Sequence, residues 1–128
     1  MPKIGVLGQS EGGILIIETP NAEDALISLY DCDAFKDFTF WSEHIILYNS
    51  DTLQKMVCGN GFEVINSGQI QRYPLSNHLY WLSNGRPGGH KKWHEFNGCE
   101  INEMYADVLA KKKQCDTLFF EFRKRYED

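Results

Sequence analysis

Histidine and cysteine are the side chains of this sequence best suited to binding metals or moving protons, and the chain has four of each. His90, His94 and Cys99 form the tightest group along the chain. The His-x-x-x-His spacing would place two imidazoles on one face of a helix, a geometry that zinc sites use. Gly88 and Gly89 argue against a helix at this point, and a fourth ligand is missing nearby. The sequence therefore predicts no metal site.

His44 is the best candidate for a general base. The ordinary pKa of histidine, about 6.5, suits a group that accepts a proton near neutrality. The competing interpretation is a histidine that anchors the aromatic segment around it through a hydrogen bond. The residue alone leaves both interpretations open.

The first half of the chain must supply the elements that hold such groups. Met1 to Gly13 is rich in glycine and indicates a loop or the tail of a missing element. Ile14 to Thr19 predicts a strand covered on both faces. Asn21 is expected to cap a helix over Ala22 to Tyr30. The mixed aromatic and polar segment from Asp31 to Tyr48 has no clean period and is expected to be an ordered loop.

The second half of the chain predicts two further strands, the last of them antiparallel to a neighbour. The expected elements, in order, are a helix capped by Ser50 and ended by Gly59-Asn60-Gly61, a strand from Phe62 to Arg72 with a bulge at Gly68, a helix over Ser76 to Leu82 with Leu75, Leu79 and Leu82 on its apolar face, a loop from Arg86 to Gly98, a helix from Ile101, and a strand over Thr117 to Arg123.

Length and charge limit the class of protein. The chain has 128 residues, 42% of them hydrophobic and 24% charged, which is the composition of one water-soluble globular domain. The formal net charge of −5 gives no field that would collect nucleic acid. The longest apolar run, Ile14 to Ile17, is too short to cross a membrane. Four widely spaced cysteines and no secretory leader predict a cytoplasmic protein.

Two ordered blocks of sequence resemble the carboxyl-terminal half of class I S-adenosylmethionine-dependent methyltransferases. The first block is GGILIIETPN at residues 12–21, which resembles the fifth strand of that fold. The second is HIILYNSDTL at residues 44–53, followed by GNGFEV at residues 59–64. A third block, QRYPLSNH at residues 71–78 with GGH at residues 88–90, is similar to a subgroup that acts on small molecules.

The resemblance covers about residues 8–125 and implies a partial Rossmann-like α/β sheet of about three strands, the last two antiparallel, with flanking helices. The chain is expected to be a single domain, residues 1–128, without the cofactor-binding amino-terminal half of the fold. The family implies S-adenosylmethionine as cofactor. In that family a glycine-rich turn after the first strand and an acidic residue at the end of the second hold the cofactor. Neither is present, so the isolated chain is not expected to bind it.

The resemblance also implies a substrate site beyond the carboxyl end of the strand at Ile14 to Thr19. His44 matches the histidine before the helix and would act as the catalytic base. Asn21 also has a sufficient explanation as a helix cap, and Trp81 as part of the core. The residues expected to contact substrate are Glu18, Asn21, Tyr48, Tyr73, Asn77 and His78.

The missing half of the fold would leave the strand Ile14 to Thr19 with a bare edge. A homodimer, or a separate cofactor-binding chain, is therefore expected to cover it. Three functions remain open from the sequence. The chain is the substrate-side fragment of a small-molecule methyltransferase that is inactive alone, a catalytically silent binding or regulatory module derived from that fold, or an unrelated small α/β protein.

Overall fold

A four-stranded antiparallel sheet organises the described part of the chain. The structure is a computed structural model that describes residues 3–7, 12–42 and 47–126. Its strands are β1 (Lys3–Leu7), β2 (Ile14–Pro20), β3 (Phe62–Ile70) and β4 (Thr117–Lys124). Their order across the sheet is β1-β2-β4-β3, and each neighbouring pair is antiparallel. The last strand in sequence therefore lies inside the sheet, between β2 and β3.

Helices fill the connections between β2, β3 and β4. Asn49 and Thr52 form a capping box at the start of the third helix, and Gly85, with a φ of 66°, ends the fourth. The helices are α1 (Ala25–Ser28), α2 (Asp33–Ser42), α3 (Ser50–Cys58), α4 (Leu75–Asn84), α5 (Gly89–Lys92) and α6 (Cys99–Lys111), with a 3-10 turn at His94–Phe96.

The main core lies between α3 and the sheet. Leu118, Phe120 and Phe122 alternate along β4 and point to one face, where each is at most 1% exposed. Leu53 and Val57 of α3 cover this face. Burying each of these large apolar side chains contributes about 1.5–3 kcal/mol.

Two smaller cores lie among the other helices. Leu26 packs against Trp81 of α4 in one of them, and Ala25 packs against Leu109 of α6 in the other. Adjacent residues of α1 thus contact two different helices. This short helix is held in place by its neighbours rather than by its own length.

The predicted α/β class is confirmed, with helices flanking a small sheet whose last two strands are antiparallel. The expectation for Met1 to Gly13 was wrong, because residues 3–7 form β1 and pair with β2 from Lys3↔Glu18 to Leu7↔Ile14. The irregularity in β3 lies between Val64 and Asn66 and not at Gly68.

The expected bare edge of the strand at Ile14 to Thr19 is also wrong. β1 pairs with one edge of β2, and β4 pairs with the other. The backbone groups of β2 are therefore engaged on both sides. The reason for expecting a second chain to cover this strand no longer applies.

The segment Asp31 to Tyr48 was expected to be a loop, but α2 occupies much of it. Phe35 and Phe38 are three residues apart, so both reach the same side of the helix and both pack on Trp81, with ring centroids 5.2 Å away. The helical period is hidden in the sequence because the opposite face also carries an aromatic residue, Phe40.

The helix expected over Ala22 to Tyr30 is shorter, and its cap is a different residue. Asp24 Oδ1 accepts a hydrogen bond from the backbone N–H of Leu26 at 2.9 Å, which makes Asp24 the cap of α1. Asn21 instead binds the loop before β4, as described below.

α4 forms where expected but buries another face. Leu79 and Leu82, which were expected to face the core, are 41% and 45% exposed. The buried side chains are Ser76, Asn77, His78, Tyr80 and Trp81. Two of the polar ones have partners elsewhere in the fold, because Ser76 bonds to Asn97 and His78 bonds to Tyr105. The expected loop from Arg86 to Gly98 contains α5 and the 3-10 turn.

Candidate functional site

A cavity of about 390 Å³ opens at the end of β2, where the chain leaves the sheet for α1. Its volume suits a small organic molecule. The end of β2, the start of α1, α2, α4 and the start of β4 form its walls. The residues that line it are Glu18, Thr19, Pro20, Asn21, Asp24, Leu26, Ile27, Phe35, Phe38, Thr39, Leu47, Arg72, Tyr73, Asn77, Trp81, Pro87, His90, Asp116 and Thr117.

Charged groups occupy the side of the cavity nearest the sheet. The Arg72 guanidinium donates to Glu18 Oε2 at 2.6 Å. The Asp116 carboxylate accepts from the backbone N–H groups of Arg72 and Tyr73 at 3.0 Å and from the Thr117 hydroxyl at 2.9 Å. Burial raises the pKa of Asp116, and these hydrogen bonds oppose the rise. Both carboxylates therefore have partners within the protein.

Asp24, the third carboxyl group that lines the cavity, has fewer hydrogen-bond donors than Asp116. It is 5% exposed, and the N–H of Leu26 is its one hydrogen-bond donor among the described residues. Burial raises the pKa of Asp24 to about 7, and the nearby charge of Asp116 adds to the rise. A carboxyl group that titrates near neutrality can both accept and return a proton under physiological conditions.

Aromatic rings cover the opposite wall. Phe35 and Phe38 of α2 face Trp81 of α4, and Tyr73 lies against His90 with ring centroids 5.5 Å apart. These rings offer apolar surface for the body of a ligand and negative faces for a cation. The cavity thus combines an aromatic wall with an acidic one.

Four of the six predicted substrate residues line this cavity, namely Glu18, Asn21, Tyr73 and Asn77. Asn21 is largely occupied by the protein, because its Nδ2 donates to the backbone oxygen of Cys115 at 2.8 Å and of Lys113 at 3.3 Å. It fastens the end of β2 to the loop before β4. Its contribution to the cavity is therefore mainly to hold the wall in place.

The other two predicted substrate residues lie outside the cavity. Tyr48 packs against the main core, and its backbone bridges to Asn21. His78 is 1% exposed and lies behind the cavity, where Nδ1 is 2.5 Å from the Tyr105 hydroxyl. Burial lowers the pKa of His78 to about 4, so its ring is neutral at physiological pH. His78 thus connects α4 to Tyr105 of α6.

Gln71 connects this buried histidine to the cavity wall. Its Nε2 lies 3.3 Å from His78 Nε2 and donates to the backbone oxygen of Tyr73 at 2.8 Å. Its Oε1 accepts from the backbone N–H of Asp116 at 3.0 Å. The predicted block at residues 71–78 therefore supplies both cavity residues and the hydrogen bonds that position them.

Gly89 allows α5 to approach α4. A methyl group added at Gly89 would lie 2.3 Å from Tyr80 Cβ and 2.4 Å from the backbone oxygen of Ser76. No larger residue fits without separating the two helices. This close approach brings His90 to the cavity, where its Nδ1 is enclosed without a hydrogen-bond partner.

His44, the predicted base, lies outside the described residues. His94 and Cys99 are exposed. Within residues 3–7, 12–42 and 47–126, no three His, Cys, Asp or Glu side chains come together as metal ligands.

Several cavity residues were not predicted as site residues. Asp24, Thr39 and Asp116 are polar residues whose positions carry no distinctive motif, and Phe35 and Phe38 belonged to the expected loop. Arg72 and His90 lie within the block at residues 71–78 and 88–90, so that block was the available signal.

The described residues do not fit S-adenosylmethionine. Gly12, with a φ of 82°, lies between β1 and β2, which are antiparallel neighbours, so a strand and not a helix follows it. A turn of this kind does not present the start of a helix to a cofactor, as a dinucleotide-type fold does.

Comparison of the chain with models of known families, with curated proteins and with solved structures finds no match. The fold and the cavity define the chain as an α/β protein with a small-molecule-sized pocket. None of the helices in the described ranges has the length and apolarity needed to cross a bilayer.

Proposed function

We propose that this chain is the substrate-binding, carboxyl-terminal part of an S-adenosylmethionine-dependent methyltransferase that acts on a small molecule. One observation carries the proposal. The cavity at the end of β2 is lined by four residues that the resemblance assigns to substrate, Glu18, Asn21, Tyr73 and Asn77. These residues come from segments more than fifty positions apart in the sequence, on two sides of one pocket.

The strand arrangement gives further support. The resemblance implies a fifth strand followed by a final antiparallel pair. In the sheet, β4 is antiparallel to both β2 and β3, so β2 and β3 run in the same direction. This arrangement is compatible with the carboxyl-terminal half of such a fold.

S-adenosylmethionine supplies the methyl group in this family when it is bound. Since the connection between β1 and β2 does not lead into a helix, the proposal assigns the cofactor to another segment or another chain. The proposed task of the present residues is to bind and orient the substrate. The chain is not expected to transfer methyl groups by itself.

A catalytically silent binding module is the second candidate. It is favoured by the contrast between a formed cavity and the poor fit to the cofactor. Either function is compatible with the cytoplasm, the proposed location, because all four cysteines are free thiols.

The test is to express the chain together with whatever coding sequence precedes it in the same reading frame, and to compare it with the 128-residue chain. We expect calorimetry to detect S-adenosylmethionine binding by the longer product and not by the shorter one. Methyl transfer by the longer product to a small-molecule acceptor would support the proposal.

Two variants make this test specific. Asn77→Ala should remove methyl transfer by the longer product and leave cofactor binding intact, because Asn77 lines the substrate cavity. Ser83→Ala, on the exposed side of the same helix, should change neither. Cofactor binding by the 128-residue chain, or a longer product that binds no cofactor, would overturn the proposal.

A further inference from the structure

Three buried polar side chains of the cavity retain unused hydrogen-bonding capacity. Asp24 and Asn77 are 5% exposed, and Thr39 is 8% exposed. Within the described part of the chain, no group donates to Asp24 Oδ2, and none bonds to the Asn77 amide or the Thr39 hydroxyl. Buried polar groups in folded proteins nearly always have partners. All three side chains line the same cavity, so a ligand is the partner they can share.

These three groups remain accessible, which separates them from trapped polar atoms. Nδ1 of His90 and Oε1 of Gln114 are the fully enclosed side-chain atoms without partners in the described residues. The atoms of Asp24, Thr39 and Asn77 are not enclosed in this way. They can therefore be reached from inside the cavity.

The charges of the cavity favour a cationic ligand. Of its three carboxyl groups, Glu18 is paired with Arg72, and Asp116 accepts hydrogen bonds from three donor groups of the protein. Asp24 keeps an open oxygen. A positive group placed there would gain a charge-assisted hydrogen bond at a site from which water is largely excluded.

The aromatic wall completes the recognition. Phe35 and Phe38 both pack on the ring of Trp81, with 5.2 Å between ring centroids in both pairs. Such surfaces bury the hydrocarbon part of a ligand and attract a cation through their faces.

We propose that the cavity binds a small molecule that carries a primary ammonium group on an aromatic or apolar body. The ammonium has three N–H donors, and Asp24, Asn77 and Thr39 each offer an acceptor. The body packs against the rings of Phe35 and Trp81. If the chain is the substrate side of a methyltransferase, this amine is the substrate, and that last step alone rests on the proposed function.

The experiment uses the 128-residue chain and three probes of nearly equal shape, 2-phenylethylamine, 2-phenylethanol and phenylacetate. They are cationic, neutral and anionic at pH 8. Binding is followed by calorimetry and by the NMR signal of the Trp81 indole N–H. We expect the amine to bind about tenfold more tightly than the alcohol, because a hydrogen bond to a charged group exceeds a neutral one by about that factor.

Two variants test whether Asp24 is the group that binds the ammonium. Asp24→Asn keeps the helix cap and removes the charge, so it should weaken amine binding about tenfold and change alcohol binding less than about twofold. Asp37→Asn, an exposed carboxyl on α2, is the matched control and should change neither.

Equal binding of amine and alcohol by the unaltered protein would overturn the inference, as would tighter binding of phenylacetate, no binding of any probe, or an unaffected Asp24→Asn variant. No cofactor is present in these titrations. Their failure would therefore leave the methyltransferase test unanswered, and amine binding would stand even if methyl transfer failed.

Discussion

We predict that the negative charge of Asp24 lowers the free energy of unfolding, and that the substitution Asp24→Asn raises it. The carboxyl group is buried, and its one donor among the described residues is the N–H of Leu26. Asparagine at this position can accept the same hydrogen bond and is an equally good helix cap. Asp24→Asn therefore changes the charge with little change in shape or in capping.

The size and sign follow from the two states of the carboxyl group. Its pKa is raised from 3.8 to about 7 on folding. Between these values the folded protein holds a proton that the unfolded chain has lost, so the free energy of unfolding decreases as pH rises. Each unit of pH in this interval costs about 1.4 kcal/mol, which gives a total penalty of about 4 kcal/mol above pH 7. Asp24→Asn should thus be more stable than the unaltered protein by about 2–4 kcal/mol at pH 8, and nearly equal to it at pH 4.

Urea unfolding at pH 4, 6 and 8, followed by tryptophan fluorescence and far-ultraviolet circular dichroism, measures this difference. The comparison between variants removes most of the contribution of other titrating groups. Asp37→Asn should show no pH-dependent gain. A difference for Asp24→Asn that stays flat from pH 4 to 8, or a loss of stability at pH 8, would refute the reasoning. The gain should accompany the loss of amine binding, because a charged group kept for binding is often a burden on the fold.

Three further outcomes are expected. Gly89→Ala should lower the free energy of unfolding by about 1–3 kcal/mol, because the new methyl group would meet backbone atoms and a Cβ rather than the end of a flexible side chain. Gly68→Ala is the control, because a methyl group there meets nothing within 4 Å. It should be neutral or slightly stabilising in the same urea titration. Tyr105→Phe removes a hydroxyl bonded to a buried histidine at 2.5 Å and should cost about 1–3 kcal/mol; a neutral effect in calorimetric melting would contradict this. Alkylation with iodoacetamide, followed by mass spectrometry, should modify exposed Cys99 first. Cys115 is 1% exposed and burial raises its pKa to about 11, so it should react only when the protein opens. Equal rates for the two cysteines would contradict the buried position of Cys115.

Much of the fold could be predicted because several elements carry local signals. The alternation of Leu118, Phe120 and Phe122 indicates β4 and its buried face, and Gly59-Asn60-Gly61 marks the end of α3. The predicted cap of α3, Ser50, was wrong: Asn49 and Ser50 are both good capping residues, and in the structure the backbone N–H of Thr52 donates to Asn49 Oδ1.

The buried face of α4 could not be predicted because distant residues determine it. Leu79 and Leu82 satisfy a helical apolar period, yet the helix turns Ser76 and His78 inward. Ser76 bonds to Asn97 at 2.6 Å, and His78 bonds to a tyrosine on α6. Such polar pairs leave no periodic pattern in the sequence.

Only part of the candidate site could be predicted, because distant residues also determine which of its side chains are buried. Residues at the end of β2 and in the block at residues 71–78 were predicted as site residues from the resemblance, and four of them line the cavity. Burial raises the pKa of both Asp24 and Asp116, and the nearby charge of Asp116 adds to the rise at Asp24. A carboxyl group in a sequence gives no sign of how much water will surround it.

The position of β4 inside the sheet has a consequence for the order of folding. Ile17 pairs with Phe120 across roughly a hundred residues of chain, and a sheet closed by so distant a contact forms slowly. The acidic side of the cavity joins the same two regions, through Asn21 and Cys115. Binding competence should therefore arise in the last kinetic phase of refolding, together with the closure of the sheet, and no earlier intermediate should recognise a ligand.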